Sequence, residues 1–112
     1  MKSDKKYLYD IKSSIALIFD AVKNGEEDFF SNIHIQNAIY RYFEIIGEVA
    51  KRLTAEYKEK TKFIKWRKIA GLRDVIIHQY DGVDPDEVWQ IIEKDLPQLK
   101  KQIDELIESY ST

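Results

Sequence analysis

Within Gly71-Leu72-Arg73-Asp74-Val75-Ile76-Ile77-His78-Gln79-Tyr80-Asp81-Gly82, three residue types suited to phosphodiester chemistry stand close together: Arg73, His78 and Tyr80. Arginine stays protonated at every working pH and presents a planar fork of donors to phosphate oxygens, while histidine exchanges a proton near neutrality. Together they form a minimal kit for cleaving a phosphodiester: a fixed cation for developing charge and a proton shuttle for the attacking hydroxyl. On an ideal helix a spacing of five residues separates Arg73 from His78 by roughly 140°. Convergence therefore needs a long arginine reach, a helix that loosens before Gly82, or a second copy of the motif across a dimer. The plainer reading of His78 is a cation partnering the last carbonyls of a helix.

The residues that position this segment are helical. Forty-four per cent of the 112 residues are hydrophobic and 34% charged, with only four Gly and two Pro, which favours an all-α bundle over a turn-rich sheet protein. The length suits one domain, residues 1–112, built as an up-and-down bundle of four to five helices. A first helix is expected after Ser3-Asp4, either of which can cap it, with Leu8, Ile11, Ile15, Ile18 and Val22 at three- and four-residue spacing and Asn24-Gly25 as its end. A second, dominant helix is expected from about Asp28 to Lys58, roughly 45 Å long. Its apolar positions cover more than one face, which predicts burial on two sides and a subunit interface where the chain cannot cover both. Gly47 in its interior costs about 1 kcal/mol and predicts close approach of another backbone. Thr61 is the expected cap of a third helix with Trp66, Ile69, Leu72 and Ile76 on its core face, closed by Gly82. Asp84-Pro85-Asp86-Glu87 opens a fourth, which should break near Asp95-Leu96-Pro97 before a fifth carrying Leu99, Ile103, Leu106 and Tyr110.

Charge is uneven along the chain. From Lys51 to Lys68 eight cations face two carboxylates, whereas from Asp81 onward nine carboxylates face three lysines. Lys62, Lys65, Arg67 and Lys68, just upstream of Arg73, are candidate contacts to RNA phosphates, against the plainer reading of a solvated connector. With no cysteine, disulfides and thiolate metal sites are excluded. Two histidines without clustered carboxylates predict no metal and no cofactor, and neither a glycine-rich phosphate loop nor a nucleophile elbow is present. The longest apolar run, Ile15 to Phe19, is too short to span a bilayer, and the start Met1-Lys2-Ser3-Asp4-Lys5-Lys6 lacks an apolar signal region, so a cytoplasmic protein is expected.

The pattern Arg-x4-His-x-Tyr, preceded by Ile69-Ala70-Gly71-Leu72 and followed by Asp81-Gly82-Val83-Asp84, resembles the HepT-like toxins of the HEPN superfamily, and the likeness extends from about Phe63 to Trp89. Arg41-Tyr42-Phe43-Glu44-Ile45-Ile46-Gly47-Glu48 is similar to the second-helix signature of the same toxins. Where relatives often carry proline before the tryptophan, this chain has Lys65, and Asp74 stands where many have asparagine. The resemblance implies an endoribonuclease that works as a homodimer without a metal, with Arg73 and His78 catalytic. It further implies a separate nucleotidyltransferase antitoxin that silences the toxin by attaching AMP to Tyr80. Glu44 and Glu48 are candidates to orient Arg73, with local pairing to Lys51 and Arg52 the plainer expectation for Glu48. Asp74 is a candidate support for His78, or a brake on phosphate binding. The rival reading is a non-enzymatic helical module whose broad second-helix surface binds a nucleotidyltransferase.

Overall fold

The computed structural model describes residues 2–77 and 82–111, and among them every regular element is helical. His78, Tyr80 and Asp81 lie outside the described residues. Helix α1 (Lys2–Ala21) buries Leu8, Ile11, Ile15 and Ile18, the stripe its spacing predicts. Gly25, at φ +99°, then turns the chain into α2 (Glu26–Ser31).

The expected second helix is three helices. Asn32 leaves helical geometry at φ −122° and its Oδ1 accepts from the amides of His34 (2.9 Å) and Ile35 (3.4 Å), which starts α3 (Ile33–Arg52) afresh. Gln36 Nε2 donates back to the carbonyls of Phe29 (3.0 Å) and Phe30 (3.2 Å), closing the end of α2. After Arg52 the chain extends through Leu53 and Thr54, and Thr54 Oγ1 accepts from the Tyr57 amide at 3.2 Å to cap α4 (Ala55–Lys60). In both places a side chain takes over backbone amides that a continuous helix would have paired.

Asp4 serves the second of these breaks rather than capping α1. It is 1% exposed, and its two oxygens accept from the Thr54 amide (2.8 Å) and the Thr54 hydroxyl (2.7 Å), fifty residues away. Asp4→Ala leaves both partly buried Thr54 donors without this partner and is expected to cost about 1–3 kcal/mol. Urea unfolding should show a lower midpoint for Asp4→Ala and a smaller loss for Asp4→Asn; an unchanged midpoint for Asp4→Ala would show the latch to be dispensable.

Thr61 likewise ends a helix instead of starting one. It is the C-cap of α4, its hydroxyl donates to the Tyr57 carbonyl (2.7 Å) and accepts from Trp66 Nε1 (2.9 Å), and α5 (Trp66–Ile77) begins at that tryptophan. Gly82 holds φ +90°, a conformation suited to glycine. Asp84 Oδ1 accepts from the Asp86 amide at 3.0 Å and opens α6 (Pro85–Gln90) as its sequence predicts.

Pro97 does not break the last helix. The chain passes from α6 through a π turn (Ile91–Asp95) into α7 (Leu96–Ser111), with the Leu96 amide donating to the Ile91 carbonyl five residues back. Proline lacks an amide hydrogen and its ring crowds the carbonyl four residues earlier; the widened turn just before it accommodates both without ending the helix.

α3 is the centre of the packing, with α1 and α5 against it and α7 against α1. Ile39, Phe43, Ile46, Val49 and Ala50 are buried, and Ile35, Tyr40, Tyr42 and Ile45 pack partly buried on the same core. The two apolar sides of this helix are thus covered within the chain, by α1 and α5, and do not by themselves require a second subunit. Ile33 is the large hydrophobic on α3 that stays exposed. Among the described residues no helix is long and apolar enough to cross a membrane, and no group of three or more His, Asp or Glu is placed to hold a metal ion.

Candidate active site

The site is set by a glycine. A methyl group built on Gly47 of α3 would stand 2.8 Å from Arg73 Cβ, 2.9 Å from the Arg73 backbone nitrogen and 3.1 Å from the Ala70 carbonyl oxygen of α5. Only the missing side chain lets the two helices meet at this distance, as the interior glycine predicts. The contact holds the backbone of Arg73 against α3.

One residue beyond Gly47, Glu48 takes up the arginine. Its Oε1 accepts from Arg73 Nε at 3.3 Å, and both side chains are 34% exposed. A carboxylate on Nε fixes the guanidinium plane while leaving its outer edge with further donors for an incoming anion. Arg73 Nη1 lies 3.8 Å from Asp74 Oδ1, and Lys51 Nζ lies 3.9 Å from the same oxygen. Arg73 and Lys51 therefore share one exposed side of the α3–α5 seam with Glu48 and Asp74, a balanced cluster rather than an isolated cation. Glu44 is placed elsewhere: its Oε2 accepts from Arg41 Nη1 at 3.2 Å within α3. The carboxylate that orients Arg73 is thus Glu48, for which sequence favoured local pairing. The close approach at Gly47 decides it, because that approach sets which residues of α3 face α5.

Tyr40 lies on the same side of α3, seven residues before Gly47. Its buried hydroxyl has no hydrogen-bond partner among the described residues, and burial, with the Asp84 carboxylate secondary, raises its pKa. The phenol is therefore held in its neutral form near neutral pH.

The basic stretch is partly matched. Lys62 Nζ lies 3.5 Å from Glu59, Lys60 3.2 Å from Glu56 and Lys68 3.9 Å from Asp95, all in exposed pairs, while Lys65 and Arg67 are exposed. Such pairs are worth about 0–1 kcal/mol, so an arriving phosphate can exchange with these carboxylates at little cost.

These residues define a small all-α domain that presents a partly exposed arginine, held by Glu48 and flanked by Asp74, on a helix whose sequence runs on into His78 and Tyr80. Comparison with known proteins places the domain further. A family model described as "Ribonuclease HepT-like" matches residues 11–106, and the chain belongs to that family. It is 42% identical over 110 residues to a "Gamma-glutamylcyclotransferase and putative RNase" of Methanocaldococcus jannaschii, covering 96% of this chain but 50% of that protein. A "Putative RNase" of Caldanaerobacter subterraneus is 38% identical over 109 residues, covering 96% of this chain and 97% of the relative. A "Probable ribonuclease HepT" of Thermococcus cleftensis is 38% identical over 106 residues, covering 94% and 96%. No solved structure matches the chain.

Proposed function

We propose that the chain is a metal-independent endoribonuclease, the toxin of a toxin–antitoxin pair, acting as a cytoplasmic homodimer. Membership of the HepT-like family supports ribonuclease chemistry, and the observation that carries the site is Arg73, one-third exposed, held through Nε by Glu48 at the α3–α5 seam. In this reading His78 accepts the proton of a ribose 2′-hydroxyl, whose oxygen attacks the adjacent phosphorus. Arg73 binds the charge on the phosphorane. The 5′-oxygen leaves with a proton from the second copy's His78, and the products are a 2′,3′-cyclic phosphate and a 5′-hydroxyl. Regular α5 geometry through Ile77 supports the dimeric form of this scheme. With Arg73 tied toward α3 and no loosening over the next four residues, an Arg73 from one copy and a His78 from the other is the simpler way to bring the two groups to one phosphate.

Silencing would come from a separate nucleotidyltransferase antitoxin. The Tyr80 oxygen attacks the α-phosphorus of ATP, pyrophosphate leaves, and the tyrosine carries AMP. A negative phosphodiester and a bulky adenosine two residues from His78 would repel and occlude RNA. The rival reading is a non-enzymatic module docking through α3; the packing of α1 and α5 on much of that helix favours the nuclease reading over it.

The test has two arms. Purified protein incubated with RNA in excess chelator should produce cyclic-phosphate ends and leave DNA uncut; intact RNA would defeat the nuclease reading. Co-expression with the nucleotidyltransferase encoded beside it should add multiples of AMP to the intact mass, absent in Tyr80→Phe, with loss of toxicity. A mass increase that survives Tyr80→Phe would exclude Tyr80 while leaving the nuclease reading in place.

A further inference from the structure

α5 has a second working side. Lys65, Lys68, Ile69 and Leu72, with Gly71 between them, form one wall of a cleft of about 570 Å³ whose other wall is α6, the π turn and α7. Leu96 and Leu99, both buried, make the inner lining aliphatic, and Gln98 and Gln102 of the same helix also line the cleft. Phe63, 63% exposed, lines the same cleft.

Three features of this cleft are not accounted for by the fold. An aromatic ring left this open gives up burial that the core could have used, but it is the kind of surface on which a base stacks. Gly71 sits in a helix interior, where glycine costs about 1 kcal/mol against alanine. Its φ is not positive, and a methyl group built on it meets nothing within 4 Å, so neither conformation nor packing asks for it. A flat ligand lying close against the α5 backbone does. The cleft's charges are also segregated, with Lys65 and Lys68 on the α5 wall and Glu87 and Asp95 on the other. A phosphodiester chain would be drawn to the α5 wall and repelled from the opposite one, which turns its base inward to the aliphatic lining and the glutamines. The Lys68–Asp95 pair, at 3.9 Å and exposed, yields readily to such a chain.

We infer that this cleft is a nucleobase subsite, which takes one unpaired base of a single-stranded RNA whose neighbouring phosphate lies at Arg73. Ile69 and Arg73 are four residues apart on α5, a rise of about 6 Å along the helix axis, comparable with one nucleotide of an extended strand. A base in a duplex cannot enter without being unstacked and unpaired, so the subsite selects loops, bulges and free ends. The position of the scissile phosphate rests on the ribonuclease reading above; the capacity of the cleft to hold an unpaired base does not.

The experiment measures binding and cleavage separately. In an Arg73→Ala background, a fluorescently labelled mixed-sequence RNA is titrated unpaired and as a duplex, with Phe63→Ala and Gly71→Leu added in turn. Each is expected to weaken binding of the unpaired RNA by about tenfold and to leave duplex binding unchanged. With Arg73 restored, the same two variants should slow cleavage at unpaired positions by a similar factor. Thermal melts and light scattering accompany each variant. Unchanged affinity in folded Phe63→Ala and Gly71→Leu overturns the inference, even if the protein cleaves RNA. A Gly71→Leu variant that loses RNA binding only by changing its assembly state also overturns it, because the cleft would then be an interface between copies. Cleft-dependent binding of unpaired RNA by a protein that cleaves no RNA would sustain the inference while removing the ribonuclease reading.

Discussion

Arg73→Ala is expected to lower RNA cleavage by about 10²–10³-fold, the usual consequence of removing one preorganised donor from a developing oxyanion. Arg73→Lys should recover little, because an ammonium has no Nε for Glu48 to hold and no planar fork for the phosphorane oxygens. The structure adds a graded series. Glu48→Gln keeps an acceptor near Arg73 Nε at 3.3 Å but loses the charge that anchors it, and should cost several-fold. Glu44→Gln should cost nothing measurable, since Glu44 pairs with Arg41 within α3. Stability should hardly move in any of these variants, as the Arg73–Glu48 pair is one-third exposed and such pairs contribute about 0–1 kcal/mol. Initial rates on a labelled unpaired RNA, with melting curves as controls, decide the matter. A Glu44→Gln defect larger than that of Glu48→Gln would mean that the contact seen here is not the working one.

That ordering of the two glutamates also marks how far the sequence could be read. Helix-forming stripes such as Leu8, Ile11, Ile15 and Ile18, and the Asp84-Pro85 start, are written in local spacing, and they appear where expected. The breaks at Asn32 and Thr54 were masked because both cap residues lie inside a long run of helix-compatible residues. What makes Thr54 a cap rather than an interior residue is also its bond to Asp4, fifty positions earlier, which no local pattern contains. Pro97 misleads for the opposite reason: the local rule is sound, but a single π turn satisfies it without ending the helix. Glu48 is chosen over Glu44 by the packing of α3 on α5, a tertiary fact, although the interior glycine beside it was the one local sign of where that packing would be tightest. Phe63 carries no sign of the cleft in local spacing, because it stands outside the helical stripes, in the turn before α5.

Gly47 offers the second large effect, and Gly71 supplies its control. Both glycines sit in helix interiors, so alanine at either gains about 1 kcal/mol of helix propensity. At Gly71 nothing opposes the gain, and Gly71→Ala should unfold at a higher urea concentration than wild type. At Gly47 the new methyl meets Arg73 Cβ at 2.8 Å and the Arg73 backbone nitrogen at 2.9 Å, atoms that cannot swing aside as the end of a flexible side chain would. α5 must move away from α3, at an overpacking cost of typically 1–3 kcal/mol, so Gly47→Ala should be no more stable than wild type and Gly47→Val clearly less. Activity should suffer more than stability, because the displaced element carries Arg73. In the proposed mechanism a shift of about 1 Å at Arg73 far exceeds the slack in a 3.3 Å hydrogen bond and is expected to cost about 10²-fold in rate. The signature is therefore a divergence between two identical substitutions: Gly71→Ala stabilises, while Gly47→Ala falls sharply in rate even where it remains folded. If Gly47→Ala matched wild type in both unfolding midpoint and cleavage rate, α5 would have to be free to shift on α3, and the close seam could not be what positions Arg73.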